Sequence, residues 1–177
     1  MVPKPILLDL NAIVQQLGAI GSFAYSLRLP PSEGLTPEGP VEVSLEVQNT
    51  GSALLVRGSF RGKVRLSCAR CLEEVVAPGE GRIAEEFSLP GGAAELELID
   101  QVEPEESAYA EQILNVSELI RQQLLISQPL RVLCSPDCKG LCPSCGHNLN
   151  LEECSCPKVV AHPAWEALRV LKDLGKE

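Results

Sequence analysis

The chain has 177 residues, 45% of them hydrophobic and only 3% aromatic, and a formal net charge of −9. That allows two small domains, or one with an appendage, around an aliphatic core; it excludes a wholly disordered chain and nucleic-acid binding by bulk electrostatics, because phosphates are repelled. The apolar opening Ile6-Leu7-Leu8 is cut by Asp9, too short for a secretory signal, and no stretch approaches a membrane span, so a cytoplasmic location without membrane contact is expected.

Residues 6–10 read as a short strand, and Asn11 can cap a brief helix from Ala12 to Leu17 stopped by Gly18. Phe23, Tyr25, Leu27 and Leu29 alternate with Ala24, Ser26 and Arg28 as a half-buried strand. The proline-rich segment 30–40 is a loop. Val41, Val43, Leu45 and Val47 alternate with Glu42, Ser44, Glu46 and Gln48 in a strand, and Asn49-Thr50-Gly51-Ser52 turns it into a hairpin. Residues 53–67 continue extended, with Gly58 and Gly62 marking bends or bulges. Val75 to Phe87 returns as another strand, and Pro90-Gly91-Gly92 turns the chain toward Leu96 and Leu98. From Asn115 the period changes: Val116, Leu119, Ile120, Gln123 and Leu124 share a helical face, closed by Pro129. Pro163 to Leu174 reads as a last helix with Trp165, Leu168, Leu171 and Leu174 as its stripe. The expected class is α+β. Residues 1–112 form a mostly antiparallel, barrel-like β domain, and 113–177 form a helix, a cysteine-rich zinc-binding module and a terminal helix.

Eight cysteines punctuate this plan: Cys68, Cys71, Cys134, Cys138, Cys142, Cys145, Cys154 and Cys156. Closely spaced cysteines in a reducing compartment bind metal more often than they form disulfides. Zinc takes four such ligands in a tetrahedron, and a C-x-x-C turn offers two of them to one ion. Cys142-Pro143-Ser144-Cys145-Gly146 is such a knuckle, and Cys154 and Cys156 complete a self-contained set. Cys68 and Cys71 then join Cys134 and Cys138, stapling the β domain to the C-terminal module. The competing partition puts Cys134, Cys138, Cys142 and Cys145 on one ion. Either way two structural zinc ions are expected, with His147 and His162 outside the ligand sets. A thiol-redox protein using Cys68 and Cys71 is the alternative, although neither C-x-x-C opens a helix after a strand as a thioredoxin-like site needs.

Charge is segregated. Arg57, Arg61, Lys63 and Arg65 alternate with apolar residues on one strand, and Arg70 follows at the knuckle. Residues 80–118 are acidic, with Arg82 the one base. The five cations are candidate RNA contacts; pairing with a neighbouring acidic strand such as Glu95-Leu96-Glu97 is the alternative. The acidic segment reads as a solvated loop or as a dock for a basic protein.

At Cys68-Ala69-Arg70-Cys71-Leu72-Glu73, at Cys138-Lys139-Gly140-Leu141-Cys142-Pro143-Ser144-Cys145-Gly146-His147-Asn148-Leu149-Asn150 and at Cys154-Ser155-Cys156, the chain resembles the YceD family. The likeness extends to Leu8-Asp9-Leu10, Leu55-Val56-Arg57-Gly58, Glu86-Phe87, Pro129-Leu130 and Pro163-x-Trp165-x-x-Leu168, so it runs over nearly the whole chain. It departs at His162 and Ala164, where an acid and a base are expected. The family comprises bacterial and plastid proteins needed for accumulation of large-subunit ribosomal RNA. The resemblance implies a non-catalytic ribosome-biogenesis factor, partnered by large-subunit rRNA or a basic ribosomal protein, with no small-molecule substrate.

Overall fold

Strict alternation over residues 41–49 builds the centre of the sheet. In the computed structural model, which describes residues 4–89, 108–110 and 112–156, the strands in chain order are β1 (Leu7–Asp9), β2 (Ile20–Leu27), β3 (Thr36–Pro37), β4 (Val41–Asn49), β5 (Ala53–Ser67), β6 (Glu74–Ser88), β7 (Tyr109–Ala110) and β8 (Ile113–Asn115). The helices are α1 (Asn11–Val14) and α2 (Val116–Ser127). The turn at Pro90-Gly91-Gly92, the Leu96–Leu98 segment, Glu95, Glu97 and the rest of the acidic stretch to Ser107, Glu111, His162 and the Pro163–Leu174 helix lie outside the described residues. No helix among the described residues is long and apolar enough to cross a membrane.

Two units make up the fold. The first draws on Met1–Leu66 and Glu74–Val132, the second on Ser67–Glu73 and Leu133–Glu177. In the first unit β4 buries Val41, Val43, Leu45 and Val47 and exposes Glu42, Ser44 and Glu46. It pairs antiparallel with β2 on one side and β5 on the other. β3 and β6 also pair with β5, giving a five-stranded sheet, while β1, β8 and β7 form a three-stranded antiparallel sheet. Both sheets are open, which corrects the barrel-like expectation: among the described residues nothing pairs β6 with β2 to close a cylinder.

α2 begins where Asn115 Oδ1 accepts the Glu118 amide at 3.0 Å, and it buries Val116, Leu119, Ile120 and Leu124. Gly79 on β6 admits that helix: a Cβ there would lie 2.8 Å from Leu124 Cδ2. The core joins these residues to Leu10, Leu35, Leu54, Phe60, Val64 and Ile83.

Three local expectations change. Asn11 does not cap α1; it is the helix's first residue, and its backbone and side-chain amides donate to Asp9 Oδ1 at 2.8 and 2.6 Å. Gly58 is no bulge, because the β4–β5 register runs unbroken from Glu42↔Arg61 to Asn49↔Leu54. Asn49 is not a turn residue on the surface but is 3% exposed. Its Nδ2 donates to the carbonyls of Ile13, Val14 and Gln16, at 3.0, 2.9 and 3.3 Å, and its Oδ1 accepts the Gly51 amide at 2.7 Å. The side chain thus adds a donor to carbonyls at the end of α1, two of which, those of Ile13 and Gln16, also accept the Gln16 and Ala19 amides. Asn49→Ala should cost about 1–2 kcal/mol, since a buried side chain loses its bonds to these carbonyls and to the Gly51 amide. Urea denaturation checks this; an unchanged midpoint contradicts it.

Candidate metal centres and the charged sheet face

Both C-x-x-C turns fold by the same two backbone bonds. After β5, the Leu72 amide donates to the Cys68 carbonyl at 3.0 Å, and the Cys68 amide to the Glu73 carbonyl at 2.8 Å. In the other knuckle, Gly146 N donates to Cys142 O at 2.9 Å and Cys142 N to His147 O at 2.8 Å. The residue after the second cysteine is left-handed in each, Leu72 at φ 62° and Gly146 at φ 72°. Glycine takes this conformation freely; leucine does not. Leu72 is also 65% exposed, so it recovers little by burial. Leu72→Gly should therefore raise knuckle stability by up to about 1 kcal/mol. Chelator titration of the metal-loaded protein checks this; earlier metal loss in the variant contradicts it.

The eight cysteines gather as Cys68, Cys71, Cys134 and Cys138, and as Cys142, Cys145, Cys154 and Cys156, with the sulfurs of each set within 4.8 Å of one another. All eight belong to the second unit. Four thiolates about 2.3 Å from one tetrahedral ion would stand about 3.8 Å apart. In the first set Cys68 Sγ is 3.8 Å from Cys138 Sγ and Cys71 Sγ is 3.5 Å from Cys134 Sγ. The donor chemistry and the spacing therefore both fit a divalent metal. The first set is the deeper: Cys68, Cys71 and Cys138 are buried, whereas in the second only Cys142 is.

Amide donors prepare the sulfurs. The backbone amides of Cys71 and Arg70 hold the Cys68 thiol down to about 6, and those of Cys145 and Ser144 do the same for Cys142, also to about 6. Hydrogen bonding to Cys71 pushes Cys134 up to about 12, and bonding to Cys145 pushes Cys156 up to about 12. Four crowded thiols cannot all ionise without a cation among them. A dithiol reading would need two sulfurs apart from the rest, yet Cys68 and Cys71 each sit in a set of four.

Two asparagines that cysteine spacing does not reveal frame the first set. Asn150 donates from Nδ2 to Cys138 Sγ at 3.3 Å and accepts the Lys139 amide on Oδ1 at 2.8 Å. Asn148 accepts the Asn150 amide at 3.0 Å and donates to Glu73 at 3.2 Å. The histidine after the second knuckle, His147, supplies its carbonyl to Cys142, and its ring belongs to neither sulfur set. Arg70 donates from Nη1 to the Cys138 carbonyl at 2.7 Å, so part of this cation serves the knuckle.

On the solvent face of the sheet Arg57, Arg61, Lys63 and Arg65 are all exposed along β5. Their pairing is uneven. Arg61 meets Glu80 at 3.2 Å, and Arg65 meets Glu38 and, at 3.6 Å, Glu74. Among the described residues no carboxylate pairs with Arg57 or Lys63.

A family model described as "Large ribosomal RNA subunit accumulation protein YceD" matches residues 56–172. An uncharacterized protein of Mycobacterium tuberculosis is 26% identical over 150 residues, covering 82% of this chain and 71% of that protein. One from Mycobacterium leprae is 25% identical over 159 residues, covering 84% and 70%. The "Large ribosomal RNA subunit accumulation protein YCED homolog 1, chloroplastic" of Zea mays is 29% identical over 150 residues, covering 71% of this chain and 51% of the maize protein. No solved structure matches the chain.

Proposed function

This chain belongs to the YceD family, and from that premise we propose that it is a non-catalytic factor of large-subunit ribosome biogenesis that supports rRNA accumulation by contacting rRNA or a basic ribosomal protein. The observation that carries this reading is the family match over residues 56–172, more than half of the chain. The two sulfur sets support it from the side of chemistry. Each would hold a zinc ion, one by Cys68, Cys71, Cys134 and Cys138, the other by Cys142, Cys145, Cys154 and Cys156. A zinc ion with four thiolate ligands supplies folding energy and has no open position for water or substrate.

For RNA, the candidates are Arg57, Arg61, Lys63, Arg65 and Arg70. Arg57 and Lys63 are the best placed, because Arg61 and Arg65 already have carboxylate partners and Arg70 has the Cys138 carbonyl. The test is purification of a tagged chain, expressed at native level, with sequencing of the bound RNA. Large-subunit rRNA or its precursors should be enriched over small-subunit rRNA; equal recovery of both would contradict the reading. Direct contact through the stripe further requires that affinity for a large-subunit rRNA fragment fall with salt, and fall less steeply in the Arg57→Gln/Lys63→Gln double variant.

A further inference from the structure

β2 is the end strand of the five-stranded sheet, and among the described residues only β4 pairs with it. Its sequence, Ile20 to Leu27, has neither a charge nor a proline. Those are the usual devices by which an edge strand refuses a further strand. Its inward residues Phe23 and Tyr25 are only half-buried, and its outward residues Ser22, Ala24 and Ser26 are small and exposed.

Beside that row stand two carboxylates. In the ladder Glu42 lies opposite Ser26 and Glu46 opposite Ser22 on the β2 side, with Arg61 and Arg57 as their partners on the β5 side. Neither takes its arginine: Arg61 turns to Glu80, and among the described residues no cation pairs with Glu42 or Glu46. Glu42 leans the other way and accepts the Ser26 hydroxyl at 2.6 Å, over the β2 row. Ala24, Ser26, Glu42 and Ser44 help line the β2 side of an open hollow of about 950 Å³ on this face, whose far side carries Arg61, Glu80 and Arg82.

We propose that the free edge of β2 accepts an added strand from a basic, extended polypeptide. Main-chain bonds along β2 would give the affinity, and alternate side chains the choice of partner. A strand added there lies about 4.8 Å beyond β2. Its lysines or arginines can then pass over Ser22 and Ser26 to Glu46 and Glu42. Because those carboxylates stand at i and i+4 of one strand, the fitting partner carries cations at i and i+4. Apolar residues between them would complete the half-covered row of Phe23 and Tyr25. The identity of the partner as a ribosomal protein rests on the function proposed above; the edge and its chemistry do not.

The probe is a short synthetic peptide with lysines at i and i+4 and valines between, added to the full zinc-loaded chain. The expected result is saturable binding with amide-exchange protection across Ile20–Leu27. Methylating alternate backbone nitrogens of the peptide, which keeps its charge but forbids strand addition, should weaken binding at least about tenfold, and Glu42→Gln/Glu46→Gln should weaken it comparably. Equal binding by the methylated peptide, or binding without protection of β2, overturns the proposal. So does β2-dependent dimerisation of the chain that excludes the peptide, or protection of β2 by an RNA oligonucleotide in place of the peptide. Failure of the peptide with rRNA enrichment intact removes this edge and leaves the biogenesis role standing.

Discussion

Replacing Cys138 with serine is expected to take the chain from two bound zinc ions to one and to unfold much of the second unit. The reason lies in what the described part of that unit buries. Among the described residues the hydrophobic core cluster draws only on the first unit, from Leu10 to Leu124. In the described part of the second unit the buried side chains are Cys68, Cys71, Cys138 and Cys142. Under the zinc reading proposed above, metal binding supplies much of the folding energy of these residues, and for structural zinc in small domains that is on the order of 10 kcal/mol. Cys138 is 2% exposed, its sulfur takes the Asn150 amide, and its carbonyl takes Arg70. Its loss therefore removes a ligand and the sulfur that Asn150 orients, while the Arg70 bond is to the backbone carbonyl. The second set, contiguous from Cys142 to Cys156, should keep its ion. Metal analysis and limited proteolysis read the outcome: one zinc per chain, with cleavage appearing in 133–141. Two zinc ions and an unchanged cleavage pattern would contradict it.

The second large effect falls on the sheet. A Cβ at Gly58 would lie 2.0 Å from the Ser44 carbonyl oxygen and 3.1 Å from Leu45 Cα, both backbone atoms of β4. β4 and β5 cannot part to make room without breaking a ladder that runs from Glu42 to Asn49. Gly58→Ala should cost about 3 kcal/mol or more, at the upper end of overpacking effects. Gly81→Ala is the control. There the obstacle is the Phe60 ring edge at 2.9 Å, a side chain that can turn, so the loss should be smaller. Thermal unfolding of both variants decides the matter, and a Gly58→Ala melt equal to wild type would contradict the account.

The parts of this fold legible in the sequence are those whose signal is local and repeated. The alternation of Val41 to Val47 marks β4, and the same period separates the cations of β5 from Val56, Phe60 and Val64. The spacing of Val116, Leu119, Ile120 and Leu124 marks α2. Cysteine spacing marked which residues gather, and the structure shows the two sets of four. What escaped is short or long-range. β7 and β8 have two and three residues, too few for any period, and β8 takes its place between β7 and β1, the latter reaching it from across the chain. Asn49 looked like a turn residue because its composition fits a turn; its role depends on α1 arriving beside it. Gly58 suggested a bulge because sequence does not distinguish a chain that bends from one approached closely by its neighbour. The carboxylates beside the β5 cations, Glu38, Glu74 and Glu80, follow from β3 and β6 pairing with β5, which no spacing in the sequence announces.

The role in large-subunit rRNA accumulation is tested most directly by depletion and rescue in the source cells, reading the ratio of large- to small-subunit rRNA. The account predicts that the ratio falls on depletion, returns with the wild-type chain, and does not return with Cys138→Ser. A ratio unchanged by depletion would contradict it.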